Sequence, residues 1–367
     1  MRLTMPKEEL VKRLAMVAGV VEKRQTRPIL SNILMRAEKG KVVLTGTDLE
    51  VEMITWAGAQ VDQDGATTVP GRKFLDIVRA LPAHSEVVME KDESRLKIKA
   101  GRSRFLVSTM PAEDFPSIDE VAWEVSFAVA GGMLRKLIEK TQFCMAQQDV
   151  RYYLNGLMLE TAAGSLKAVA ADGHRLALCE GRLEGVDVGD KQVIVPRKGV
   201  GEMLRFLAAT EGDVVVRFAS NHIRVEDKDL VFTSKLIDGR FPDYNRVVPS
   251  RVRETAVVGR EEFREMLGRV GVVSSEKYRG VRLAFSGSML TASAHNPEQD
   301  EASEEFGLDR AVEDFEVGFN VGYLTEALGA IEGKRVELGW NDTNGGCRIR
   351  NAEGDGAAVY VVMPMRL

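Results

Sequence analysis

A carboxylate, an imidazole and a guanidinium stand within four positions in the string Asp172-Gly173-His174-Arg175. An aspartate and a histidine can orient each other for acid–base catalysis, so one hypothesis is a hydrolase or transferase that uses Asp172 and His174 in a cleft between domains. The sequence shows no partner nucleophile, which such an enzyme would need. A similar string, Thr45-Gly46-Thr47-Asp48, lies 124 positions earlier (172 − 48). The repeat favours interpreting the string as a turn in which Asp and Gly have structural roles.

The remaining metal-binding and redox residue types are scattered. The four histidines show no spacing typical of metal ligands. Cys144, Cys179 and Cys347 are odd in number and far apart, which argues against a disulfide framework and a zinc site and predicts buried or half-buried thiols. We therefore expect no metal and no cofactor.

The whole chain is built from a long repeat. Phe115-Pro116 recurs as Phe241-Pro242, 126 positions later (241 − 115), and Pro70-Gly71-Arg72-Lys73 recurs at the same distance as Pro196-Arg197-Lys198. A period of that length is the size of a small domain. Helix-like patterns occur twice in each third, at 6–14, 70–82, 131–140, 196–208, 259–269 and 320–334.

Alternating apolar and polar residues between these helices predict antiparallel strands, for example at 42–45, 50–55, 86–90, 96–99 and 104–109. The fold class predicted is α+β, with three similar tandem domains that each pack two helices on one side of an antiparallel sheet. Charged and proline-containing stretches place the domains at 1–122, 123–248 and 249–367.

Charge is distributed unevenly along the chain of 367 residues. The net charge is −5, which at first sight disfavours a nucleic-acid partner. The six helical segments together carry +6 and the remainder −11. This distribution fits a protein that offers one face to a polyanion, although Lys and Arg that merely solvate helix surfaces would give the same count.

The termini carry two further signals. The start of the chain, Met1 to Lys7, has no apolar core or cleavage site of a signal peptide, and no apolar run is long enough to span a membrane. We expect a cytoplasmic protein without a membrane partner. The last residues, Val359 to Leu367, are largely apolar and predict a final strand. Its Met-Pro-Met end offers thioethers that adapt to several partners.

Several strings in order along the whole chain resemble the bacterial DNA polymerase III beta subunit, the sliding-clamp family. They are Arg27-Pro28-Ile29-Leu30-Ser31-Asn32, Thr45 to Glu50, Asp149 to Gly156, Asp172 to Leu176, Val195 to Val200, Phe241-Pro242-Asp243-Tyr244, Asn296 to Gln299 and Tyr360 to Leu367. The resemblance implies a non-enzymatic DNA sliding clamp that confers processivity in DNA replication. It would form a head-to-tail homodimer that closes into a ring of six similar domains around double-stranded DNA, without sequence specificity.

The resemblance also implies three sets of site residues. The DNA-binding positions would be Arg24, Arg72, Lys73, Gln148, Tyr153 and Lys198, with Lys12 and Arg205 as weaker candidates. The dimer interface would bring Phe105 and Val107 against Val272 and Val273. The third set is a pocket for short linear peptides of the replicative polymerase, the clamp loader and repair proteins, at Leu154, Gly173, His174, Arg175, Leu176, Pro242, Arg246, Val247, Val361, Val362, Met363, Pro364, Met365 and Arg366.

Three positions depart from the family pattern. Ala171 stands where family members often have Thr, and Asn344 and Gly346 stand where they have larger side chains. The loss of a hydroxyl and of apolar area predicts a looser pocket or a changed peptide preference. A third hypothesis, a monomeric three-domain scaffold that binds proteins but no DNA, is disfavoured by the localised positive charge of the helices.

Overall fold

The computed structural model describes residues 1–21, 27–116, 118, 121–183, 188–354 and 356–366. The chain divides into two compact units. Unit 1 comprises 1–135 and 195–236, and unit 2 comprises 136–194 and 237–367. Sheets carry most of both units, and helices lie where the sequence predicts them.

Six α-helices begin and end within a few residues of the predicted segments: α1 Lys7–Ala18, α2 Gly71–Ala80, α3 Gly131–Glu139, α4 Arg197–Ala208, α5 Arg260–Val270 and α6 Val321–Ala330. Apolar residues three and four positions apart determine which face of each helix is buried. In α2, Phe74 and Val78 are fully buried while Arg72 and Lys73 are exposed. The helix α1 runs four residues past its predicted end, and α6 stops four residues early.

Unit 1 contains two antiparallel sheets. The first has five strands in the order β5-β1-β7-β8-β9, and the second has eight in the order β10-β15-β16-β17-β4-β3-β2-β6. Their bounds are β1 Arg2–Pro6, β2 Asn32–Glu38, β3 Lys41–Thr47, β4 Val51–Gly58, β5 Gln60–Gln63, β6 Gly65–Pro70, β7 Glu86–Asp92, β8 Arg95–Ala100, β9 Ser103–Ser108, β10 Val125–Ala130, β15 Asp213–Phe218, β16 His222–Asp227 and β17 Leu230–Lys235.

Unit 2 contains an eight-stranded sheet in the order β14-β11-β12-β13-β23-β22-β21-β18 and a long hairpin of β19 and β20. The bounds are β11 Gly156–Ala162, β12 Ser165–Ala171, β13 Arg175–Arg182, β14 Lys191–Pro196, β18 Glu254–Gly259, β19 Gly280–His295, β20 Glu301–Asn320, β21 Arg335–Trp340, β22 Cys347–Asn351 and β23 Ala358–Val362. All five strands predicted from the sequence are present in unit 1.

Each eight-stranded sheet joins strands from two neighbouring repeats. In unit 1, β4 of the first repeat pairs with β17 of the second, and Val51 lies opposite Ser234. In unit 2, β13 of the second repeat pairs with β23 of the third, and Arg175 lies opposite Val362. The expectation of a sheet for each repeat alone therefore needs correction, because hydrogen bonds at the edge of one repeat are completed by the next.

Three observations concern groups that could bind metals, form disulfides or enter a membrane. Cys144, Cys179 and Cys347 are all buried free thiols, as the sequence predicts, and burial raises the pKa of the Cys347 thiol to about 12. Within the described residues, no group of three or more His, Cys, Asp or Glu could hold a metal ion. None of the described helices is long and apolar enough to span a membrane.

Candidate functional site

The repeated turn begins at Asp172, which holds the chain between β12 and β13. Its Oδ1 accepts hydrogen bonds from the backbone N–H groups of His174 (2.9 Å) and Arg175 (3.0 Å). Gly173 adopts φ +89°, a conformation that L side chains rarely adopt. The contact from His174 to the carboxylate thus uses the backbone, while its ring stacks on Tyr323 at 6.2 Å between centroids. This geometry is that of a turn.

Arg175 is held on every side by unit 2. Its Nε donates to Asp172 Oδ2 at 3.0 Å and its Nη2 to the Phe143 carbonyl at 2.9 Å, and Nη1 is paired with Glu326. The guanidinium carbon also lies 4.5 Å from the ring centroid of Tyr323, within cation–π range. The side chain is only 11% exposed, so it acts as a rigid wall.

Beside this wall lies a cavity of about 420 Å³, which we call the tail groove. It is mainly apolar, with arginines at its margin. Its lining residues are Arg151, Leu154, Ala171, Gly173, Arg175, Leu176, Phe241, Pro242, Tyr244, Arg246, Val247, Gly345, Gly346, Val361 and Met363.

The floor of the tail groove belongs to a packed core. Leu154, Leu176, Phe241, Tyr244 and Val361 form one buried cluster, and Met363 packs against it. The Tyr244 hydroxyl donates to Glu160, and burial together with that carboxylate raises the pKa of the tyrosine. A floor fixed in this way can receive an apolar side chain without rearranging.

The C-terminal segment forms the opposite side. Val361 lies opposite Leu176 in the pairing of β13 with β23. Beyond the strand, the Met363 N–H donates to the His174 carbonyl at 2.8 Å, and the Met365 N–H donates to the Gly318 carbonyl at 2.9 Å. The tail is therefore held by backbone hydrogen bonds while the Met363 side chain faces the groove.

Two glycines determine the width of the tail groove. A Cβ on Gly173 would lie 2.7 Å from Arg151 Nη2, so the glycine is needed for space as well as for its φ. A Cβ on Gly346 would overlap Val361 and lie 3.1 Å from Met363 Sδ. The space above Gly346 is therefore already filled by these two side chains, which offsets the loosening expected from the missing side chain.

Arg151 is fixed at the margin by Asp149. Its Nε and Nη2 lie 3.0 and 2.9 Å from the two carboxylate oxygens, and Nη2 also donates to the Asp172 carbonyl at 3.2 Å. These hydrogen bonds lower the pKa of Asp149 to about 2. Apolar walls with cations at the margin can bind a short peptide through one or two apolar side chains, with polar contacts that fix its direction.

Comparison with known proteins now decides the family. Models of the N-terminal, central and C-terminal domains of the DNA polymerase III beta subunit match residues 1–119, 128–243 and 245–366. The chain is 46% identical to the beta sliding clamp of Pseudomonas aeruginosa and 44% identical to that of Escherichia coli K12, over 100% of each chain. The chain belongs to the DNA polymerase III beta subunit family.

Solved structures agree with this assignment. A sliding clamp from Pseudomonas aeruginosa bound to griselimycin has a TM-score of 0.96 at 45% identity, and the Caulobacter crescentus beta subunit has 0.95 at 39%, each covering 100% of both chains. Beta sliding clamps are non-catalytic processivity subunits. The family and the turn geometry of Asp172 together disfavour the hydrolase or transferase hypothesis.

Most peptide-pocket positions inferred for this clamp line the tail groove. Of the others, His174 contributes its carbonyl to the tail, and Val362 is buried in the sheet. Met365 and Arg366 line a different cavity of about 380 Å³ with Tyr278 and His295. Pro364 is half-buried between these two segments of the tail.

The DNA-facing candidates have different surroundings. Arg72 and Lys73 are exposed on α2 in unit 1, and Gln148 is exposed in unit 2. The Lys198 ammonium is paired with Asp48, while Tyr153 packs against the core beneath the tail groove. Arg24 lies outside the described residues. Of the weaker candidates, Lys12 is exposed on α1, whereas Arg205 pairs with Glu202 at 2.6 Å.

The dimer candidates are partly exposed in the single chain. Phe105 is 37% exposed on β9, an edge strand of the five-stranded sheet, and Val272 is 81% exposed. Val273 is half-buried in the short 3-10 helix Gly271–Val273. Val107 is only 5% exposed, so it contributes little apolar surface, whereas Leu106, which the sequence reasoning missed, is 50% exposed.

Sequence reasoning also missed part of the tail groove. Arg151, Phe241 and Tyr244 line it without having been assigned to it. The signal was present in the strings Asp149 to Gly156 and Phe241 to Tyr244, because both belong to the family resemblance. The exposed Val150 and Tyr152, at 95% and 56%, were likewise not singled out.

Proposed function

We propose that this clamp encircles duplex DNA as a head-to-tail homodimer and tethers the replicative polymerase and other replication and repair proteins to it. The observation that carries the proposal is the family match along the full chain, at 46% identity over 100% of both sequences. A ring holds DNA by topology, so it needs a lining that tolerates sliding and no contacts to base edges.

Exposed cations on the helices support the DNA-binding part of the proposal. We infer that Arg72 and Lys73 on α2 contact phosphates, with Gln148 as a neutral hydrogen-bonding position. Arg24 and Tyr153 are proposed by resemblance. Lys198 is already paired with Asp48, so it would contact a phosphate only by exchanging that carboxylate. Phosphate contacts of this kind depend steeply on salt.

The tail groove supports the protein-binding part. A linear peptide of the Gln-x-x-Leu-Phe type would place an apolar side chain against Leu176, Val247 and Val361, and burying one Leu or Phe contributes about 1.5–3 kcal/mol. The peptide must become ordered on binding, so its net affinity is modest and partners can exchange. The clients proposed are the replicative polymerase, the clamp loader and repair proteins.

Dimerisation is supported by surfaces that a lone chain leaves exposed. The strand β9 lies at a sheet edge with Phe105 and Leu106 exposed, and apolar sheet edges are usually covered by a partner. We propose that β9 of one protomer meets the region of Val272 and Val273 in the other. Domain boundaries at 1–122, 123–248 and 249–367 and a cytoplasmic, nucleoid-associated location belong to the same proposal.

Retention on DNA of different topology tests the proposal. Protein loaded onto nicked circular duplex should persist when salt is raised, because a closed ring cannot leave a circle even when its phosphate contacts weaken. Linearising the circle should release it. Equal retention on circular and linear DNA at high salt would contradict encirclement and favour a protein scaffold or an ordinary DNA-binding protein.

A further inference from the structure

Unit 1 contains a second groove of about 460 Å³, which we call the upstream groove. It combines aliphatic side chains with several polar ones. Its lining residues are Thr47, Leu49, Pro116, Ile118, Val121, Ala122, Glu124, Ser220, Asn221, His222 and Lys235.

The turn beside the upstream groove repeats the turn beside the tail groove. Asp48 Oδ1 accepts from the N–H groups of Glu50 (2.9 Å) and Val51 (2.7 Å). Asp172 Oδ1 accepts from His174 and Arg175 in the same way. The backbone between them also repeats, because Leu49 has φ +78° where Gly173 has φ +89°. A leucine rarely adopts this conformation, and here it contributes its side chain to the groove.

Strand pairing fixes the equivalence of the other walls. The Lys235 N–H donates to the Glu50 carbonyl at 2.8 Å, and the Met363 N–H donates to the His174 carbonyl at 2.8 Å. Lys235 therefore stands where the tail groove has Met363. Since His222 lies opposite Lys235 in the next strand pair, it takes the position that Gly346 holds beside the tail.

The remaining wall repeats 126 positions apart. Pro116 and Val121 precede Pro242 and Val247 by that interval, and both pairs line their respective grooves. A small buried cluster that contains Leu30 and Phe115 lies against Leu49, as Leu154 and Phe241 lie in the core of the tail groove. The upstream groove is thus the counterpart of the tail groove in the preceding repeat.

The chemistry of the upstream groove differs at His222. This residue is 7% exposed, and its Nδ1 lies 2.8 Å from Asn221 Oδ1. An amide oxygen only accepts, so Nδ1 carries the proton and Nε2 presents a lone pair. Among the residues that the structure describes, Nε2 has no hydrogen-bond partner. Buried acceptors without a donor are rare in native proteins.

The surrounding charges define what can satisfy this acceptor. Burial, followed by the cations Lys235 and Arg224, lowers the pKa of His222 and keeps the ring neutral. Lys235 Nζ lies 3.2 Å from Glu50 Oε1, so its charge is already engaged, and Glu124 adds a negative charge to the lining. A neutral donor therefore fits better than a carboxylate.

We propose that the upstream groove is a second peptide-binding site, for a partner segment with a carboxamide or hydroxyl donor for His222 Nε2 and an aliphatic side chain for Leu49, Ile118 and Val121. The proposal rests on the proposed function in one respect, because the tail groove supplies the peptide-binding precedent. Its ligand chemistry follows from residues that the tail groove lacks.

Titration calorimetry with the peptide acetyl-Gln-Ala-Ser-Leu-Phe-amide tests the proposal on the full-length protein. Val121→Asp and Val247→Asp place the same charge at equivalent positions of the two grooves and serve as matched variants. Val247→Asp should leave one peptide bound per chain, at the upstream groove, and adding Val121→Asp should remove it. Replacing the Gln of the peptide with Glu should weaken the upstream site about tenfold, since a carboxylate cannot donate to Nε2.

A second variant guards against misfolding. His222→Leu removes the acceptor without adding a charge and should also weaken binding in the Val247→Asp background about tenfold. Thermal unfolding of each variant checks that the fold is retained. Binding of one peptide per chain that disappears with Val247→Asp alone would overturn the second site and leave the tail groove intact. Binding that survives Val247→Asp but not Val121→Asp would support the second site; unchanged affinity with Val247→Asp would instead remove the tail groove from the proposed function.

Discussion

Arg175 joins three separate parts of unit 2 through one side chain. It contacts the Asp172 carboxylate, the Phe143 carbonyl and Glu326, and it lies over the Tyr323 ring. Removing a mostly buried partner leaves the other groups desolvated without a counter-charge, which costs far more than losing a surface pair. The guanidinium is therefore structural for the turn as well as a wall of the tail groove.

Arg175→Ala should lower the free energy of unfolding by about 2–3 kcal/mol, because it strands a half-buried carboxylate and removes a ring contact. Urea denaturation of the two proteins measures the loss. Arg246→Ala is the control, since the Arg246 side chain is 85% exposed and pairs with Asp243 on the surface, and such pairs contribute about 0–1 kcal/mol. Equal effects of the two variants would contradict the structural role of Arg175.

His222 should make stability depend on pH in a defined direction. Its pKa is lowered in the folded protein, so the unfolded chain takes up the proton first as pH falls below about 6.5. The stabilising contribution of the neutral ring is present above that pH and declines as pH falls. Unfolding free energies at pH 7.5 and 5.5 should show a larger loss for the natural protein than for His222→Gln, which has no titrating ring. An identical loss in both would assign the pH dependence to other groups.

At the scale of elements, the C-terminal segment is more than the end of a strand. The strand β23 lies between β13 and β22, and the residues after it are held by the carbonyls of His174 and Gly318. Only this segment supplies Met363 to the tail groove. The C-terminus thus joins the sheet of unit 2 to the proposed partner site.

Deleting residues 363–367 should remove one side of the tail groove while leaving β23 paired. We expect the truncated protein to remain dimeric but to lose peptide binding at the tail groove and polymerase stimulation, because no lining side chain replaces Met363. Fluorescence anisotropy with a labelled Gln-x-x-Leu-Phe peptide measures the affinity, with sedimentation as the control for assembly. Unchanged affinity at the tail groove would place the peptide elsewhere.

Local signals predicted the elements but not their partners. The buried spacing of Phe74 and Val78 identifies α2 from the sequence, because helix periodicity depends only on near neighbours. The pairing of β4 with β17 joins residues nearly two hundred positions apart, and no local pattern specifies it. For the same reason the tail groove was assembled by family resemblance, and Tyr244, which reaches it from a separate segment, was missed.

The upstream groove shows what the repeat could have predicted further. The 124-residue offset between Asp48 and Asp172 identifies the shared turn from the sequence alone. It does not reveal that Leu49 adopts the conformation of Gly173 or that His222 takes the place of Gly346. These depend on strand register, which long-range pairing determines.

At the scale of the whole molecule, the proposed assembly must cover apolar surface that one chain exposes. Phe105 and Leu106 lie on the edge strand β9, and Val272 is 81% exposed. Isolated exposed apolar residues are ordinary on protein surfaces. An exposed edge strand that carries two of them is a site where another chain can add, and a dimer in which each chain supplies both surfaces would cover them twice.

Val272→Ala combined with Val273→Asp should therefore convert the dimer to a monomer. The substitutions remove apolar contact area and bury an unpaired carboxylate at the interface, at a cost of roughly 2–4 kcal/mol, which is about 30- to 1,000-fold in the dissociation constant. Because Val272 is largely exposed in the single chain, its replacement should change the stability of the monomer little. Analytical ultracentrifugation over a dilution series measures the assembly, and Val247→Asp, an equally charged change in the tail groove, should remain dimeric. A double variant that still sediments as a dimer at every concentration would show that the interface lies elsewhere, and retention on circular DNA should be lost only in variants that fail to dimerise.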